Sequence, residues 1–238
     1  MAETLEARFA KFLEHTIGAE SIDALHAPGP NDSRMADYYL SGRRIVAEVK
    51  SLKADQIAKG AAVVDEHLFD KGIVVFGDLP SSRFTDNPDE EKALRLKIQA
   101  KMTSRIKKVC SEANKQITKQ FESLSHLATG VLILINENNT SMHPSMVAER
   151  VFEYAASQPR SIHYCLMIFE SHKVKAMGKL LPYPVLLDLT RSARQRRSLG
   201  FLQSIHWQWA KTYGHTERIL SSERNPIAYY PEYLIFGE

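Results

Sequence analysis

Two apolar runs, Gly130–Ile135, which is continuous, and Ile162–Phe169, which holds His163, bracket a segment that repeats at helical spacing. A strand that is apolar at every position is covered on both faces, which is the setting of a parallel sheet. Between the runs, Pro144–Ala156 places Met146, Val147, Val151, Phe152 and Ala155 on one helical face. Strand, helix and strand in that order predict a right-handed crossover between parallel neighbours. The second half is therefore expected to be α/β, with Val185–Leu189 as a further strand. The whole reads as an α/β protein with a mixed central sheet flanked by helices.

The first half supplies an antiparallel part. Ala36–Leu40 and Arg44–Leu52 are β-prone and flank Ser41-Gly42, a tight-turn pair. Side chains alternate along a strand, so Ile45, Ala47 and Val49 share one face, and Val46, Glu48 and Lys50 the other. A two-residue turn at Ser41-Gly42 pairs Asp37 with Val46, and one at Gly42-Arg43 pairs it with Glu48. Both put Asp37 on the face of Glu48 and Lys50, whereas a three-residue turn sends it to the opposite face. Two carboxylates and an amine on one partly buried face require pairing or a bound metal, because buried charge is otherwise costly. Mg²⁺ suits such a set, since it takes oxygen ligands, one or two of them carboxylates, and keeps several waters.

Asp37 on one strand and Glu48-Val49-Lys50 on the next resemble the motif of the PD-(D/E)XK nuclease superfamily, the restriction-endonuclease-like fold. Ala36 stands where the motif name has Pro. The resemblance implies a metal-dependent endonuclease of restriction, defence or repair type that hydrolyses phosphodiester bonds, with DNA favoured over RNA. It implies that Asp37, Glu48 and the Val49 carbonyl hold Mg²⁺, with Mn²⁺ able to replace it. Lys50 would then position or activate the attacking water. Many members begin with a helix, and some draw an extra metal ligand from it; Glu6 is the matching carboxylate here. Glu6 also fits a solvated charge favoured by the helix dipole. In many of these nucleases a Gln in the helix after Glu-x-Lys faces the site. Gln116, in Ser111-Glu112-Ala113-Asn114-Lys115-Gln116, is the matching position, with Gln120 as the alternative.

Around this motif, Ala2–Ile17 reads as an amphipathic helix with Leu5, Phe9, Phe12, Leu13 and Thr16 inward, stopped by Gly18. Ser21–Arg34 is turn-rich, with a short strand expected at Ile22–Leu25 and Asp32 as a turn residue or rival ligand. Lys53–Asp89 reads as an insertion carrying a strand at Gly72–Phe76 and a loop over the site. Glu90–His126 repeats apolar residues every three or four positions from Leu94 to Leu124, as one long helix or two abutting ones. Between Lys92 and Lys119 its exposed side carries Lys101, Arg105, Lys108 and Lys115 among nine cations against the single acid Glu112, which suits a phosphate backbone. A merely solvated helix face is the alternative. Arg191, Arg194, Arg196 and Arg197 form a second basic run before Phe201, His206, Trp207, Trp209 and Tyr213. Arginines there can grip phosphates, while Trp207 and Trp209 read as core.

With 238 residues, 44% hydrophobic and 25% charged, the chain can bury a full core in one domain. The expected layout is a nuclease-like core at about 1–58 and 90–170, an insertion at about 59–89 and a C-terminal extension at about 171–238. A net charge of only +3 makes any basic surface local. Cys110 and Cys165 form no metal or redox spacing, which suits a reduced cytoplasmic setting. No apolar run reaches membrane-spanning length, so no membrane partner is expected; nucleic acid is, and a homodimer is compatible. Phosphate-loop, dinucleotide, zinc-protease and serine-hydrolase motifs are absent from the sequence. Two other readings remain open. One is a non-catalytic nucleic-acid-binding or protein-interaction module on the same fold. The other is an ion-pair network of Asp37, Glu48 and Lys50 without metal.

Overall fold

The computed structural model describes residues 3–25, 35–53, 56–73, 87–124, 128–157, 161–176, 179–190 and 195–212, with backbone alone for 173–184 and Gln195. Six strands form one sheet in sequence order: β1 Glu20–Ser21, β2 Tyr38–Leu40, β3 Ile45–Ser51, β4 Thr129–Asn136, β5 Tyr164–Ala176 and β6 Lys179–Asp188. The first three run antiparallel, β3, β4 and β5 run parallel, and β6 returns antiparallel. This mixed sheet is flanked by helices on both faces. On one side α5 (Ser104–Glu122) and α6 (Pro144–Ser157) cover Val46, Leu132, Leu134, Cys165 and Met167. On the other, α1 (Leu5–Phe12) and α7 (Leu199–Thr212) cover Ile45, Ala47, Ile133 and Leu166. β4 is buried at all eight positions, as its unbroken apolar run requires.

The first helix begins where the Thr4 side chain accepts from the Ala7 amide, and it closes in a π turn, Leu13–Ile17, before Gly18 at φ +73°. The wider π turn advances the inward face by one residue. Ile17 therefore packs on the core and Thr16, expected inward, is exposed. Ile22–Leu25 is a short helix, α2, rather than a strand, because the Ser21 hydroxyl accepts from Ala24 N at 3.4 Å and starts a helical turn.

The expected insertion differs more. Ile57–Asp70 is a helix, α3, an element the reading of 53–89 as an insertion with a strand and a loop did not include. It packs antiparallel on α4 (Pro88–Met102) through Val63, Leu68 and Leu94, with Gly60 close against Met102. Most of the expected Gly72–Phe76 strand lies outside the described residues, as do Asp32, Arg191 and Arg194. The long helical signal is two helices that break at Thr103. Its hydroxyl donates to Gln99 O at 2.6 Å and accepts from Arg150 Nε at 2.8 Å.

Residues 171–212, expected as an extension, supply β6 and α7, and Leu187, Leu202, Ile205 and Trp209 are core. Trp209 lies between Phe9 and Phe12, with ring centroids 4.9 and 5.2 Å away. Trp207, expected in the core beside it, is 47% exposed, because it falls on the outer side of α7. Among the described residues no helix is long and apolar enough to cross a membrane.

Candidate active site

Of the turns open to the hairpin, the chain takes the one at Gly42-Arg43. Leu40 pairs with Ile45, Tyr39 with Val46 and Tyr38 with Ala47. Gly42 and Arg43 both have positive φ, 62° and 64°, as a type I′ turn demands. Continuing this register would set Asp37 opposite Glu48, but the ladder breaks there. The Asp37 amide donates to Ala47 O at 3.1 Å, and its carbonyl accepts from Ile22 N at 2.9 Å. Its carboxylate is left to accept from the Val49 amide at 2.7 Å, beside the edge of β3. In a strand the amide and carbonyl of one residue face the same neighbour. The Val49 carbonyl therefore also points to the Asp37 side, just past the first residue of β2.

Glu48 and Lys50 face α5, as strand alternation requires. Glu48 is fully buried and ion-pairs with Lys50, whose side chain is 15% exposed. The Lys50 ammonium also donates to Gln116 Oε1 at 3.0 Å, and Gln116 Nε2 donates to Met35 O at 2.9 Å. One neutral amide on α5 thus holds the lysine and the segment before β2 that carries Asp37. Gln120, one turn on, donates instead to the Tyr39 hydroxyl and to Ser123 Oγ, and so ties the helix to the hairpin away from Lys50.

Glu6 takes a different place. It accepts from Ser51 Oγ at 3.0 Å and from Lys53 Nζ at 2.6 Å. Lys53, with help from Ser51, holds its carboxyl below the usual range despite partial burial. Ser51 shares its face with Val49, so Glu6 lies on the α1 side of β3, opposite Glu48 and Lys50. Asp37 sits at the edge between the two sides. Glu6, Asp23, Asp37 and Val49 line a cavity of about 210 Å³ floored by Phe9 and Leu13. Among the described residues no three His, Cys, Asp or Glu side chains stand together as a metal-binding group. A Mg²⁺ site does not need three, since one or two carboxylates, a carbonyl and waters complete it. Asp37 and Val49 line the cavity, while Glu48 lies one residue away along β3 with its side chain turned to α5.

The basic residues divide by position. Counting 100° per residue along α5 from Gln116, Arg105, Glu112, Lys119, Lys108 and Lys115 all fall within about 100° on one side, and the core residues fall on the other. Lys108 is 3.9 Å from Glu112. Lys101 is exposed on α4, across the Thr103 break. Arg95, Lys97 and Lys107 are paired with Glu91, Glu66 and Glu153. Arg196 and Arg197 are exposed beside α7, with Arg196 3.5 Å from Asp188.

Two participants were missed by sequence reasoning. Met35 contributes a backbone carbonyl, which no side-chain pattern reveals. Lys53 could have been suspected as a cation just beyond the strand end that Glu6 approaches. Comparison with protein-family models, curated proteins and solved structures finds no match for this chain.

Proposed function

We propose that this chain is a metal-dependent nuclease with a PD-(D/E)XK-type site on a restriction-endonuclease-like core, hydrolysing phosphodiester bonds of DNA. The observation that carries the reading is the chain of contacts from the Met35 carbonyl through Gln116 and Lys50 to buried Glu48, beside Asp37 on the Val49 amide. An ion pair so placed is a poor device for stability, because apolar side chains of similar size generally serve as well or better. It is a good device for chemistry on a phosphate. Asp37 and Glu48, with the Val49 carbonyl, would hold Mg²⁺ or Mn²⁺; when bound, such an ion supplies Lewis-acid polarisation of a phosphoryl oxygen. Lys50, held in place by Gln116, offsets charge that develops on the phosphorus oxygens and orients a water for in-line attack. The Arg105, Lys108 and Lys115 flank of α5 continues from the Gln116 edge and gives the phosphate backbone a track. The cell interior, where such substrates reside, is the expected location.

The test is cleavage of duplex DNA, single-stranded DNA and RNA with Mg²⁺ and with chelator, beside titration calorimetry with Mn²⁺. Metal-dependent cleavage lost in Glu48→Gln, with Mn²⁺ binding weakened in Asp37→Asn, is the expected result. Absence of both cleavage and metal binding in the folded wild-type chain would overturn the reading. A second reading, a structural ion pair, is favoured by the direct Lys50–Glu48 contact.

A further inference from the structure

Two histidine rings fasten the turn between β4 and α6 to β5. His143 is the residue before α6 and serves as its N-cap, with its carbonyl accepting from Val147 N at 3.1 Å. Its ring nitrogen Nδ1 accepts from the Ser145 amide at 3.2 Å and lies 2.6 Å from Ser145 Oγ. An amide only donates, so Nδ1 must keep its lone pair, and a neutral imidazole stands where Asn or Ser usually caps. His172 lies on β5 between Phe169 and Lys173, where the register with β6 shifts. It meets the His143 ring edge-on, with centroids 5.1 Å apart and planes at 88°. Its Nε2 donates to Thr140 O at 3.1 Å, inside the same turn, and its Nδ1 lies 2.9 Å from Ser171 Oγ.

A proton on His143 has three costs that follow from this geometry. It takes the lone pair that caps α6 and leaves the Ser145 amide facing a donor. It puts a cation at the positive end of a 14-residue helix whose first turn carries no acid. It also sets that cation against His172, which gains charge over the same pH range. Among the described residues the charged groups of the neighbouring elements are engaged with one another, with an amide side chain or with backbone. Glu170 of β5 is held by Arg8 of α1 at 2.6 and 3.2 Å, Glu137 accepts from Leu5 N at 3.0 Å, and Glu149 of α6 accepts from Gln99 of α4. Burial, and then the neighbouring His172, pulls the His143 imidazole down to about 4; burial also lowers His172, against its bond to Thr140. A histidine depressed in the closed state binds its proton more readily once the turn opens. Closure is therefore fully favoured above the ordinary value of about 6.5 and is lost as pH falls from there toward about 4.

We propose that His143 and His172 form an acid-released latch: on protonation α6 loses its cap, the two rings part, and the turn 137–143 comes away from β5. The latch is regulatory, because the same turn holds the end of β3. Asn139 Nδ2 donates to Leu52 O at 3.4 Å, two residues past Lys50, so release loosens the strand that carries the candidate site. The latch stands independently of the reaction assigned to that site.

The test is amide hydrogen exchange of the full chain between about pH 7 and pH 5, corrected for intrinsic exchange rates. Protection is read in peptides spanning 139–147 and 50–53, with α5 for comparison. In wild type the turn should lose protection by about twentyfold over that interval if one proton is taken up, and by more for two. It should exchange faster than α5 at every pH, as a local opening does. In the double variant His143→Asn, His172→Gln, Asn supplies an acceptor for the Ser145 amide and Gln a donor for Thr140 O, and neither titrates. This variant should match wild type near pH 7 and hardly respond to acid. Turn protection in wild type that is insensitive to pH, exchange of the turn only together with α5, or a variant as acid-sensitive as wild type overturns the latch. Loss in the turn with 50–53 unmoved overturns its regulatory role. If the double variant melts early, wild type decides alone through the imidazole C2 proton shifts in NMR. His143 titrating near its ordinary value while the turn stays protected overturns the latch, and titration in step with the loss of protection supports it.

Discussion

Two buried polar clusters sit near the same end of the sheet, and they are built on opposite plans. After β4, Asn136 and Asn139 answer one another. The Asn139 amide donates to Asn136 Oδ1 at 2.9 Å, and Asn136 Nδ2 donates back to Asn139 O at 2.9 Å. Asn139 Oδ1 accepts from Ser141 N and Oγ, its Nδ2 reaches Leu52 O, and Ser141 Oγ accepts from Gln56 N. Every group there is neutral, and most partners are backbone. The network closes on itself and fixes the turn that leads into α6. Beside Glu48 the plan is reversed: two ions with one neutral amide, joined to the backbone through Gln116 and Met35 O. A neutral amide network serves folding at little desolvation cost. A buried ion pair costs several kcal/mol of desolvation per ion and repays it only with excellent geometry. The contrast separates a cluster that exists to hold a turn from one whose charges serve a purpose beyond stability.

The largest effect should come from splitting the pair. Lys50→Met leaves Glu48 buried beside a thioether and should cost about 3–5 kcal/mol in urea unfolding at neutral pH. Glu48→Gln with Lys50→Met removes both charges and should recover most of that loss, while cleavage stays absent. A double variant as unstable as the single one would mean that the ions themselves hold the fold, which breaks the comparison.

On the neutral side, Asn139→Ala leaves Ser141 N and Leu52 O without their side-chain partner and should cost about 2–3 kcal/mol, since each stranded buried group costs about 1–3 kcal/mol. Because the turn is architectural, cleavage per folded molecule should hardly change. A fall in kcat with stability unaltered would place this cluster in the chemistry instead.

Parity explains why so much of the charged cluster was legible. Glu48 and Lys50 share a face in any regular strand, and Gln116 follows from the helical repeat of Glu90–His126. Asp37 was legible only up to the break in the ladder, which depends on Ile22 N drawing its carbonyl away, a contact between distant parts of the chain. The parallel crossover from β4 through α6 to β5 followed from the apolar runs 130–135 and 162–169. The α3–α4 pair did not, because Gly60, Val63, Leu68 and Leu94 bury a small patch whose pattern blends with the polar residues around it. The π turn at Leu13–Ile17 was equally hidden, since one extra residue per turn leaves no compositional mark.

A smaller effect concerns the flank of α5. Neutralising Arg105, Lys108 and Lys115 to Gln should weaken binding of all DNA sequences alike, on the order of tenfold at physiological salt, and flatten the salt dependence by about two to three counterions. Glu112 lies among them and screens Lys108, so Lys108→Gln alone should contribute least. Cleavage at saturating substrate should persist. An unchanged salt slope would make the flank a solvated surface and move the substrate track elsewhere.

The smallest effect tests where the boundary between the two plans runs, and Glu6 marks it. Lys53, with Ser51, keeps its carboxyl below the ordinary value, so the folded state binds that proton less readily than the unfolded chain. A carboxylate depressed in this way contributes stability that is present above its unfolded pKa of about 4.3 and is lost as pH falls through the lower folded value. Glu6→Gln should therefore be less stable than wild type at neutral pH, and the two curves should converge between about pH 5 and pH 3. Glu6 is about half exposed and Lys53 largely so, which keeps the difference under about 1 kcal/mol, and raised salt should shrink it. Cleavage should fall by less than about tenfold, because Glu6 lies across β3 from Lys50. A loss of a hundredfold or more with the acid limb unmoved would bring Glu6 and its cavity into the catalytic set, and the site would then straddle both faces of the hairpin.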